Sequence, residues 1–491
     1  MKHIPPSWMW AMVSGLMVGA SFPPSLLPIT AGPGLVVFLF VMRRQEDDTN
    51  PAIPILLHMM AAWGWAFSWV GFHAVPHVSA TSMLVLLALI MLATAASTAG
   101  FNWAGLPGLA TGHLALEGLL TYGPVSMPWV SSGFTVSGTV LAPLVSLFGI
   151  AGTSVLLWTS ALALVARKGK HRPWTRMVAV AAFMSLFTFL GSHLPGSDVT
   201  TPLQDPLNVR IVQPNMTPDT WADVQSSTRV DSLLRLSSGS AVDLTVWPET
   251  ALPKTPADPL PWRDSGAGYG PRGPLPLPLL SGGILSRSDT APWNAAILLM
   301  PDKVAEVYAK QELVPFAEYV PGSRWISALS ALAVDAGGVP GYAPGDHSSY
   351  WTVNGWTLAP MICFESVFAL LARRHAREGA DVLVVLSQTG WWSLPRAAHQ
   401  HMAYSSLTAR SVGLPLIVSS VNGPSGVIGA RGKATKTIPQ GVQATRTFTV
   451  PSVKVATPYS VVGDWPAWVI FGSLILASVR NRRLRRASSD P

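Results

Sequence analysis

The chain has 491 residues, of which 49% are hydrophobic and only 12% are charged, and it carries a formal net charge of +8. Soluble domains carry roughly a quarter of charged residues, so this composition excludes a protein that lies wholly in water. The Lys and Arg residues cluster at the ends of apolar segments and are not spread along a polar face, which excludes a nucleic-acid partner and indicates a lipid bilayer.

Eight apolar segments are predicted to cross the roughly 30 Å of hydrocarbon in a bilayer. They lie at 7–24, 25–42, 52–74, 81–100, 105–122, 139–166 and 176–194 and, after a long polar interval, at 462–479. The first segment has no clean cleavage site and runs straight into more apolar sequence, so we interpret it as a retained span and not as a signal peptide.

The basic residues predict how these spans are oriented. Arg43 and Arg44 follow the second span, a basic cluster at 167–176 follows the sixth, and an Arg-rich tail at 480–486 follows the eighth. With the N-terminus in the cytoplasm, eight crossings place all three clusters on the cytoplasmic side, as the positive-inside rule requires. The block 195–460 is then periplasmic, both termini are cytoplasmic, and the inner membrane of a bacterium is the expected location.

The polar block is predicted to be an α/β domain. Its short apolar or β-branched runs lie at 207–213, 241–247, 295–300, 357–363, 381–387 and 414–420, with helix-like stretches at 366–379 and 396–413. Strands that alternate with helices indicate a layered sandwich. The Pro- and Gly-rich segment 253–281 is expected to be an irregular loop.

Three domains follow from this division of the chain. We expect a transmembrane bundle of seven spans over 1–194, an extracytoplasmic catalytic domain over 195–460, and a transmembrane helix with a basic cytoplasmic tail over 461–491.

Cys363 is the only cysteine of the chain and lies directly after an apolar run, in the motif ICFES. It has no internal disulfide partner, so it is an inert residue packed in the core, a redox sensor or a nucleophile. Glu249 follows another strand-like run, in WPETALP, and Lys310 lies in YAKQELVPFAEYVP. A thiol nucleophile needs a base and a donor for the oxyanion, and Glu249 and Lys310 are residue types that supply them.

These three motifs together resemble the Glu–Lys–Cys triad of the nitrilase superfamily. Their order, with membrane spans before and after them, resembles the apolipoprotein N-acyltransferase family over almost the whole chain. The resemblance implies a membrane α-helical bundle joined to an αββα nitrilase-like domain. Some conjugation-associated proteins are similar to this family and diverge from it, and this chain could be one of them.

The resemblance also implies a two-step acyl transfer without metal or other cofactor. Cys363, deprotonated by Glu249, takes an acyl chain from a membrane phospholipid as a thioester, and Lys310 and a backbone N–H near Phe364 hold the oxyanion. The amine of the diacylglyceryl-cysteine of a lipoprotein then accepts the chain. The implied partners are the phospholipid donor, the lipoprotein acceptor and the bilayer, and a monomer is expected.

Further residues are assigned by the same resemblance. Glu318 corresponds to a glutamate that supports the triad, Glu365 to the acidic residue after the nucleophile, and Trp221 to a tryptophan on a loop near the site. Structural roles for Glu318 and Glu365, and simple packing for Trp221, stay open.

Other residues are assigned from their own pattern. Trp325 and Leu329 share one helical face of the segment 325–334, which we interpret as a lid that faces lipid, with an ordinary core helix as the alternative. Glu117 is an acid inside an apolar span, where an acidic side chain costs free energy unless it is paired or faces water. We interpret it as a substrate-side residue. The spacing of His399 and His401 does not fit a metal site on a helix, so packing or a surface position is expected.

The chain departs from the family pattern in several places. An Asn-Asp pair is lost at 387–393, an Arg-x-x-Glu helix is out of register at 408–411, an arginine is replaced by Leu120 and a tyrosine by Phe364. No triad residue is lost, so the alternatives concern the acceptor and the role. They are a dedicated substrate, a non-catalytic assembly factor and a membrane-tethered amidase.

Overall fold

The chain folds into two compact units in the computed structural model. The described residues are 6–45, 50–72, 76–166, 173–198, 205–216, 221, 227–256, 275–286, 291–301, 306–322, 341–392 and 394–487. One unit comprises Met1–Gly71, Ser82–Leu194 and Thr457–Pro491, and the other Phe72–Thr81 and Pro195–Ala456.

The first unit is helical. Its helices are α1 (Ser7–Gly19), α2 (Ala31–Arg44), α3 (Ala52–Ala66), α4 (Pro76–Tyr122), α5 (Leu144–Val165), α6 (Pro173–Ser192), α10 (Pro458–Val462) and α11 (Trp465–Ala487). Within the described part of the chain, three helices are long and apolar enough to cross a membrane, and they lie in α4, α5 and α6. Helices α1 to α3 have only 13 to 15 residues, so the number of eight spans stays a prediction.

Helix α4 is a hairpin of two helical arms. Ala104 and Gly105 have non-helical backbone angles, and Gly105 has a φ of 64°. Beyond this reversal, Gly108 lies directly against the backbone of Gly100, and Gly112 against Ala96. The two arms therefore pack antiparallel through small residues, the usual means of close approach between helices in a membrane. They correspond to the two segments that the sequence predicts as separate spans.

Polar contacts tie the ends of the helices to one another. The guanidinium of Arg43 donates to the carbonyl of Val165 at 2.7 Å, and the amide of Asn481 donates to the carbonyl of Ala104 at 2.7 Å. Both acceptors are carbonyls at helix ends, which have no partner within their own helix.

The second unit contains two facing β-sheets. Its strands are β1 (Gly196–Asp198), β2 (Asn208–Gln213), β3 (Leu244–Val246), β4 (Leu252–Pro256), β5 (Leu279–Ser286), β6 (Trp293–Leu299), β7 (Glu306–Ala309), β8 (Trp351–Val353), β9 (Trp356–Ile362), β10 (Val382–Ser387), β11 (Leu416–Ser420), β12 (Ser425–Ile428), β13 (Ala434–Ile438), β14 (Ala444–Thr449) and β15 (Val453–Val455). One sheet has the order β14-β2-β3-β5-β6-β7, with β4 beside β5, and the other has the order β13-β12-β11-β10-β9-β8. Strands β1 and β15 form a separate antiparallel pair.

The core of this unit lies between the two sheets, and helices cover their outer faces. Ile211 and Leu280 of the first sheet are fully buried in one cluster with Ile362 and Val384 of the second. Helix α7 (Ser227–Leu236) packs on the outer face of the first sheet, and α8 (Ala369–Arg377) and α9 (Pro395–Val412) belong to the second layer. This is the predicted αββα sandwich.

Each of the six predicted strands is present within a few residues of its expected bounds. The prediction of an irregular loop over 253–281 was wrong at both ends, because β4 extends to Pro256 and β5 begins at Leu279. Pairing of β4 with β5 overrides the local preference of the Pro-rich sequence.

We predict that Gly108→Ala destabilises the α4 hairpin. The new Cβ would collide with the backbone of Gly100, so the arms must separate, and overpacking of this kind lowers the free energy of unfolding by about 1–3 kcal/mol. The check is the apparent unfolding temperature of the detergent-solubilised protein. Gly118→Ala is the matched control, because nothing lies within 4 Å of a Cβ there. Equal unfolding temperatures for the two variants would contradict the hairpin packing.

Candidate active site

The three residues predicted to form a triad meet in the sandwich unit. Glu249 follows β3, Lys310 follows β7 and Cys363 follows β9, so each lies just past the end of a strand. The Lys310 Nζ lies 3.7 Å from the Glu249 Oε1, and the Glu249 carboxylate and the Cys363 thiol are close enough to change each other's pKa. Two of these residues come from the first sheet and one from the second, so the packing of the sheets creates the cluster.

Lys310 is held between two carboxylates. Its Nζ donates to the Glu318 Oε1 at 2.8 Å, closer than to Glu249, and its side chain is 1% exposed. Asn294, opposite Lys310 on the neighbouring strand β6, donates through Nδ2 to the Oε1 atoms of both Glu249 (2.8 Å) and Glu318 (3.2 Å). Burial works to lower the pKa of Lys310, but Glu318 and Glu249 raise it above its ordinary value, so the ammonium stays charged.

Glu249 is buried, and its backbone passes close to strand β5. Burial raises the pKa of Glu249, while Lys310 acts in the opposite direction. A Cβ on Gly282 would lie 2.6 Å from the Glu249 Cα, so only glycine leaves room for this backbone. A buried carboxylate with a raised pKa is a stronger base than a solvated one, and it is already in contact with the thiol.

Cys363 has a backbone conformation that non-glycine residues rarely adopt. Its φ is +48°, and it begins the short 3-10 turn Cys363–Val367 directly after β9. Such strained turns present a nucleophile at the end of a sheet. The residue keeps some exposed surface, while burial and the charge of Glu249 raise the pKa of its thiol to about 12.

Glu365 joins the turn that carries the nucleophile to the loop that carries the lysine. Its Oε2 accepts the N–H of Ile362 at 2.6 Å, and its Oε1 accepts the N–H of Gln311 at 2.6 Å and the hydroxyl of Tyr308 at 2.8 Å. Burial raises the pKa of Glu365 to about 7, against the effect of these donors. Because Ile362 precedes Cys363 and Gln311 follows Lys310, this carboxyl group fixes the distance between the two.

His401 contacts the nucleophile, although the sequence indicated only packing or a surface position. Its Nε2 lies 2.9 Å from the Cys363 carbonyl oxygen and 2.8 Å from the Ser366 Oγ. Burial lowers the pKa of His401 to about 4, so the ring is neutral. His399, by contrast, is exposed, and its Nδ1 lies 2.9 Å from the carbonyl oxygen of Pro395. The sequence places His401 in the helix-like stretch 396–413, but the spacing does not show that this position faces the nucleophile.

The remaining predicted residues have different surroundings. Phe364 is buried against Phe368, with ring centroids 5.0 Å apart. Trp221 is in the core of the sandwich unit, 2% exposed, and its indole N–H donates to the Thr250 Oγ1 at 2.8 Å, so it contacts the residue after Glu249. Trp325 and Leu329 lie outside the described residues.

Glu117 is in the helical unit, on the second arm of α4. Its Oε1 accepts hydrogen bonds from the Ser132 N–H at 3.0 Å and from the Ser132 hydroxyl, and lies 3.1 Å from the His113 Nε2. The acid is therefore paired inside the helical unit, and its role toward a substrate stays a prediction. Leu120, at the position of the missing arginine, is buried.

In the part of the chain that the structure describes, no group of three or more His, Cys, Asp or Glu side chains is arranged to hold a metal ion. The arrangement around Cys363 offers a thiol, a basic carboxylate and an ammonium, which together fit attack on an acyl carbon.

Two family models match the chain. The carbon-nitrogen hydrolase model matches residues 277–457, and the model of the apolipoprotein N-acyltransferase N-terminal domain matches residues 14–163. The first match falls largely in the sandwich unit, from Leu277 onward, and the second largely in the helical unit, which is the order that the sequence analysis expects.

Curated relatives carry the same family name. An apolipoprotein N-acyltransferase of Pseudomonas paraeruginosa is 29% identical over 382 residues, which is 76% of this chain and 73% of the relative. One of Photobacterium profundum is 25% identical over 515 residues, 97% of this chain and 96% of the relative. Among solved structures, Nit3 of Saccharomyces cerevisiae, a nitrilase superfamily member, covers 51% of this chain and 92% of its own with 17% identity and a TM-score of 0.35.

We predict that Lys310→Met destabilises the protein, and more so at pH 8 than at pH 5. Lys310 lowers the pKa of the buried Glu249 and the neighbouring Glu318 raises it. Without the ammonium the pKa of Glu249 rises further, so the stability lost grows as pH increases through that value. Removal of one partner from a buried ion pair costs about 3–5 kcal/mol. The measurement is the unfolding temperature at both pH values.

Lys454→Met is the control for this prediction. Lys454 pairs with Asp381 but its side chain is 29% exposed, and exposed ion pairs contribute about 0–1 kcal/mol. A pH-independent loss in Lys310→Met, or a loss as small as that of Lys454→Met, would contradict the charge arrangement described here.

Proposed function

We propose that this chain, which belongs to the apolipoprotein N-acyltransferase family, transfers a fatty acyl chain from a membrane phospholipid to the N-terminal amine of a diacylglyceryl-cysteine in lipoproteins. The single observation that carries the proposal is the convergence of Glu249, Lys310 and Cys363 from three separate strand ends. The names of the relatives supply the substrate class, and the geometry supplies the chemistry.

In the first step, Cys363 attacks the ester carbonyl of the phospholipid. Glu249 takes the proton of the thiol as the bond between sulfur and carbon forms, and the carbonyl electrons move to oxygen. Lys310 stabilises this oxyanion together with a backbone N–H near Phe364. The intermediate collapses by expelling the alkoxide of the glycerol, which takes the proton back from Glu249 and leaves as a lysophospholipid.

In the second step, the lipoprotein amine attacks the thioester carbonyl. Glu249 takes a proton from the amine, the bond between carbon and sulfur breaks, and the amide product leaves. The thiolate of Cys363 then recovers its proton from Glu249. The chemistry uses only a carboxylate, an ammonium and a thiol, so we propose that no metal or organic cofactor takes part.

The electrostatics of the cluster support this assignment. With its pKa raised to about 12, the thiol is neutral at pH 7, so the thiolate forms only as the proton passes to Glu249. Lys310 has two carboxylate neighbours, so its charge is fixed before the oxyanion forms. An arrangement that is charged and buried in advance needs little reorganisation during the reaction. Glu318, Glu365 and Trp221 are proposed to hold these groups in place.

We further propose eight membrane spans, with 1–194 and 461–491 in the inner membrane and 195–460 in the periplasm as the catalytic domain. In this arrangement, the turns that flank the short helices α1 to α3 supply the rest of the length needed to cross the bilayer. Contacts between helix ends support this count, because Arg43 meets Val165 and Asn481 meets Ala104. The count assigns all four of these residues to the cytoplasmic side.

The ring pair of Tyr122 and Trp468, 5.1 Å apart, supports the same count. Both residues belong to the periplasmic ends of their spans in this arrangement. The lid role of Trp325 and Leu329, the substrate-side role of Glu117 and the monomeric state remain parts of the proposal that rest on the sequence alone.

We predict that the wild-type protein incubated with phospholipid gains the mass of one acyl chain on Cys363. A diacylated lipopeptide should remove this adduct and gain the same mass, and Cys363→Ala should lower the transfer by about 10⁴-fold or more, as loss of a nucleophile does. Mass spectrometry of protein and peptide is the measurement.

A phospholipid with ether-linked chains is the control, because it has no ester carbonyl to attack. An adduct that only water removes would point to a hydrolase, and lipopeptide acylation by Cys363→Ala would show that the thiol is not the nucleophile. If the wild-type protein forms neither adduct nor product, and the Cys363→Ala variant still fulfils the biological role of the protein, the chain is a non-catalytic factor.

The proposed orientation predicts which single cysteines are labelled in intact cells. Cys363→Ala gives a chain without cysteine, into which Ser238→Cys or Asn50→Cys is introduced at an exposed position. A membrane-impermeant maleimide should label Ser238→Cys from the periplasm, and Asn50→Cys only after the inner membrane is opened. Labelling of both variants in intact cells would contradict the proposed topology.

A further inference from the structure

Two neighbouring residues, Ser387 and Gln388, act on the sulfur of Cys363 in addition to Glu249. The Ser387 hydroxyl donates to the Cys363 Sγ at 3.5 Å, and the backbone N–H of Gln388 lowers the pKa of the thiol, as a hydrogen-bond donor to sulfur does. The Glu249 carboxylate and the thiol act on each other's pKa, which makes Glu249 the nearby acceptor for the proton. The sulfur therefore has an acceptor for its proton and two donors for the charge that remains when the proton leaves.

Strand register produces this contact. Strands β9 and β10 are parallel neighbours, and Ile362 pairs with Leu386. Cys363, directly after β9, and Ser387, the last residue of β10, are therefore side by side at the same edge of the sheet. Ser387 is fully buried, so bulk water does not compete with the sulfur for the hydrogen bond of its hydroxyl.

We propose that Ser387 is a further catalytic residue, whose hydroxyl, with the Gln388 N–H, stabilises the thiolate of Cys363 both as nucleophile and as leaving group. This inference rests on the proposed function for the leaving-group part only. At this position the chain departs from the family pattern, in which an Asn-Asp pair is expected, so the hydroxyl is a feature of this sequence.

The two donors act in both steps of the reaction, when the thiolate forms and when it leaves. When Cys363 gives its proton to Glu249, the negative charge that develops on sulfur is shared with the Ser387 O–H and the Gln388 N–H. When the amine attacks the thioester, the electrons of the breaking carbon–sulfur bond return to the same sulfur, and the same donors receive them. Neither donor gives up its proton, so the proton balance stays with Glu249.

The geometry also explains why donors are needed there. Burial and the carboxylate of Glu249 both disfavour a charge on sulfur, and the Ser387 and Gln388 hydrogen bonds act against them. Lys310 acts in the same direction as the donors, but its ammonium is already bonded to Glu318 at 2.8 Å. Ser387 is therefore the side-chain donor whose hydrogen bond is directed at sulfur.

The test is the rate of alkylation of Cys363 by iodoacetamide in the full-length protein between pH 7 and 10, without any lipid. Ser387→Ala should slow alkylation roughly tenfold at each pH, as expected for loss of a hydrogen bond to a charged group. The plot of log rate against pH should then move by about one unit towards higher pH. Ser387→Thr, which keeps a hydroxyl, should restore the rate.

Ser411→Ala is the control, since Ser411 is a buried serine on α9 whose hydroxyl donates to the carbonyl of Thr408. It should be alkylated at the wild-type rate. Equal rates for Ser387→Ala and wild type would overturn the proposal. So would equal slowing in Ser387→Ala and Ser387→Thr, or in Ser387→Ala and Ser411→Ala.

Lipid enters only in a second arm, which measures how fast a lipopeptide removes the acyl adduct. Ser387→Ala should slow this step about tenfold as well, and an unchanged rate would overturn the leaving-group part. Because the alkylation arm contains no lipid, it decides the thiolate part even if the wild-type protein transfers no acyl chain. Failure of the proposed function and failure of this inference are thus separate results.

Discussion

The site depends on one buried ammonium. Lys310 is almost fully enclosed and lies within 4 Å of two carboxylates, Glu318 at 2.8 Å and Glu249 at 3.7 Å. Two buried negative charges this close repel each other strongly in a medium of low dielectric constant. The lysine makes their coexistence possible, and it thereby permits a buried carboxylate to remain a base beside a neutral thiol. Asn294 and Glu365 then fix where these groups are.

Each of the two sheets contributes different residues to this cluster. The first sheet supplies the base and the ammonium at the ends of β3 and β7, while the second supplies the sulfur and its neighbouring hydroxyl at the ends of β9 and β10. Glu365 joins the two halves through hydrogen bonds to backbone on both sides. A rigid hydrophobic core between the sheets therefore sets the distances on which proton transfer depends.

Much of this arrangement follows from the sequence, and the part that does not has a physical reason. The runs before Glu249 and Cys363 read as strands because they are apolar, β-branched and bounded by turn residues, and they end at reactive side chains. Strand β4 was missed because its Pro-rich sequence opposes a strand, and pairing with β5 overrides it. The contacts of His401 and Ser387 with Cys363 depend on helix packing and on parallel register, which residue spacing along one chain does not reveal.

The pairing of Glu117 has a consequence for the order in which the helical unit folds. Its hydrogen-bond donors, the N–H and hydroxyl of Ser132, come 15 residues later in the chain. The contact with His113 lies on the same arm of α4 and forms with the helix itself. The contacts with Ser132 form only when the segment after α4 folds back onto this arm, so docking of that segment is the step that supplies the buried acid with its donors.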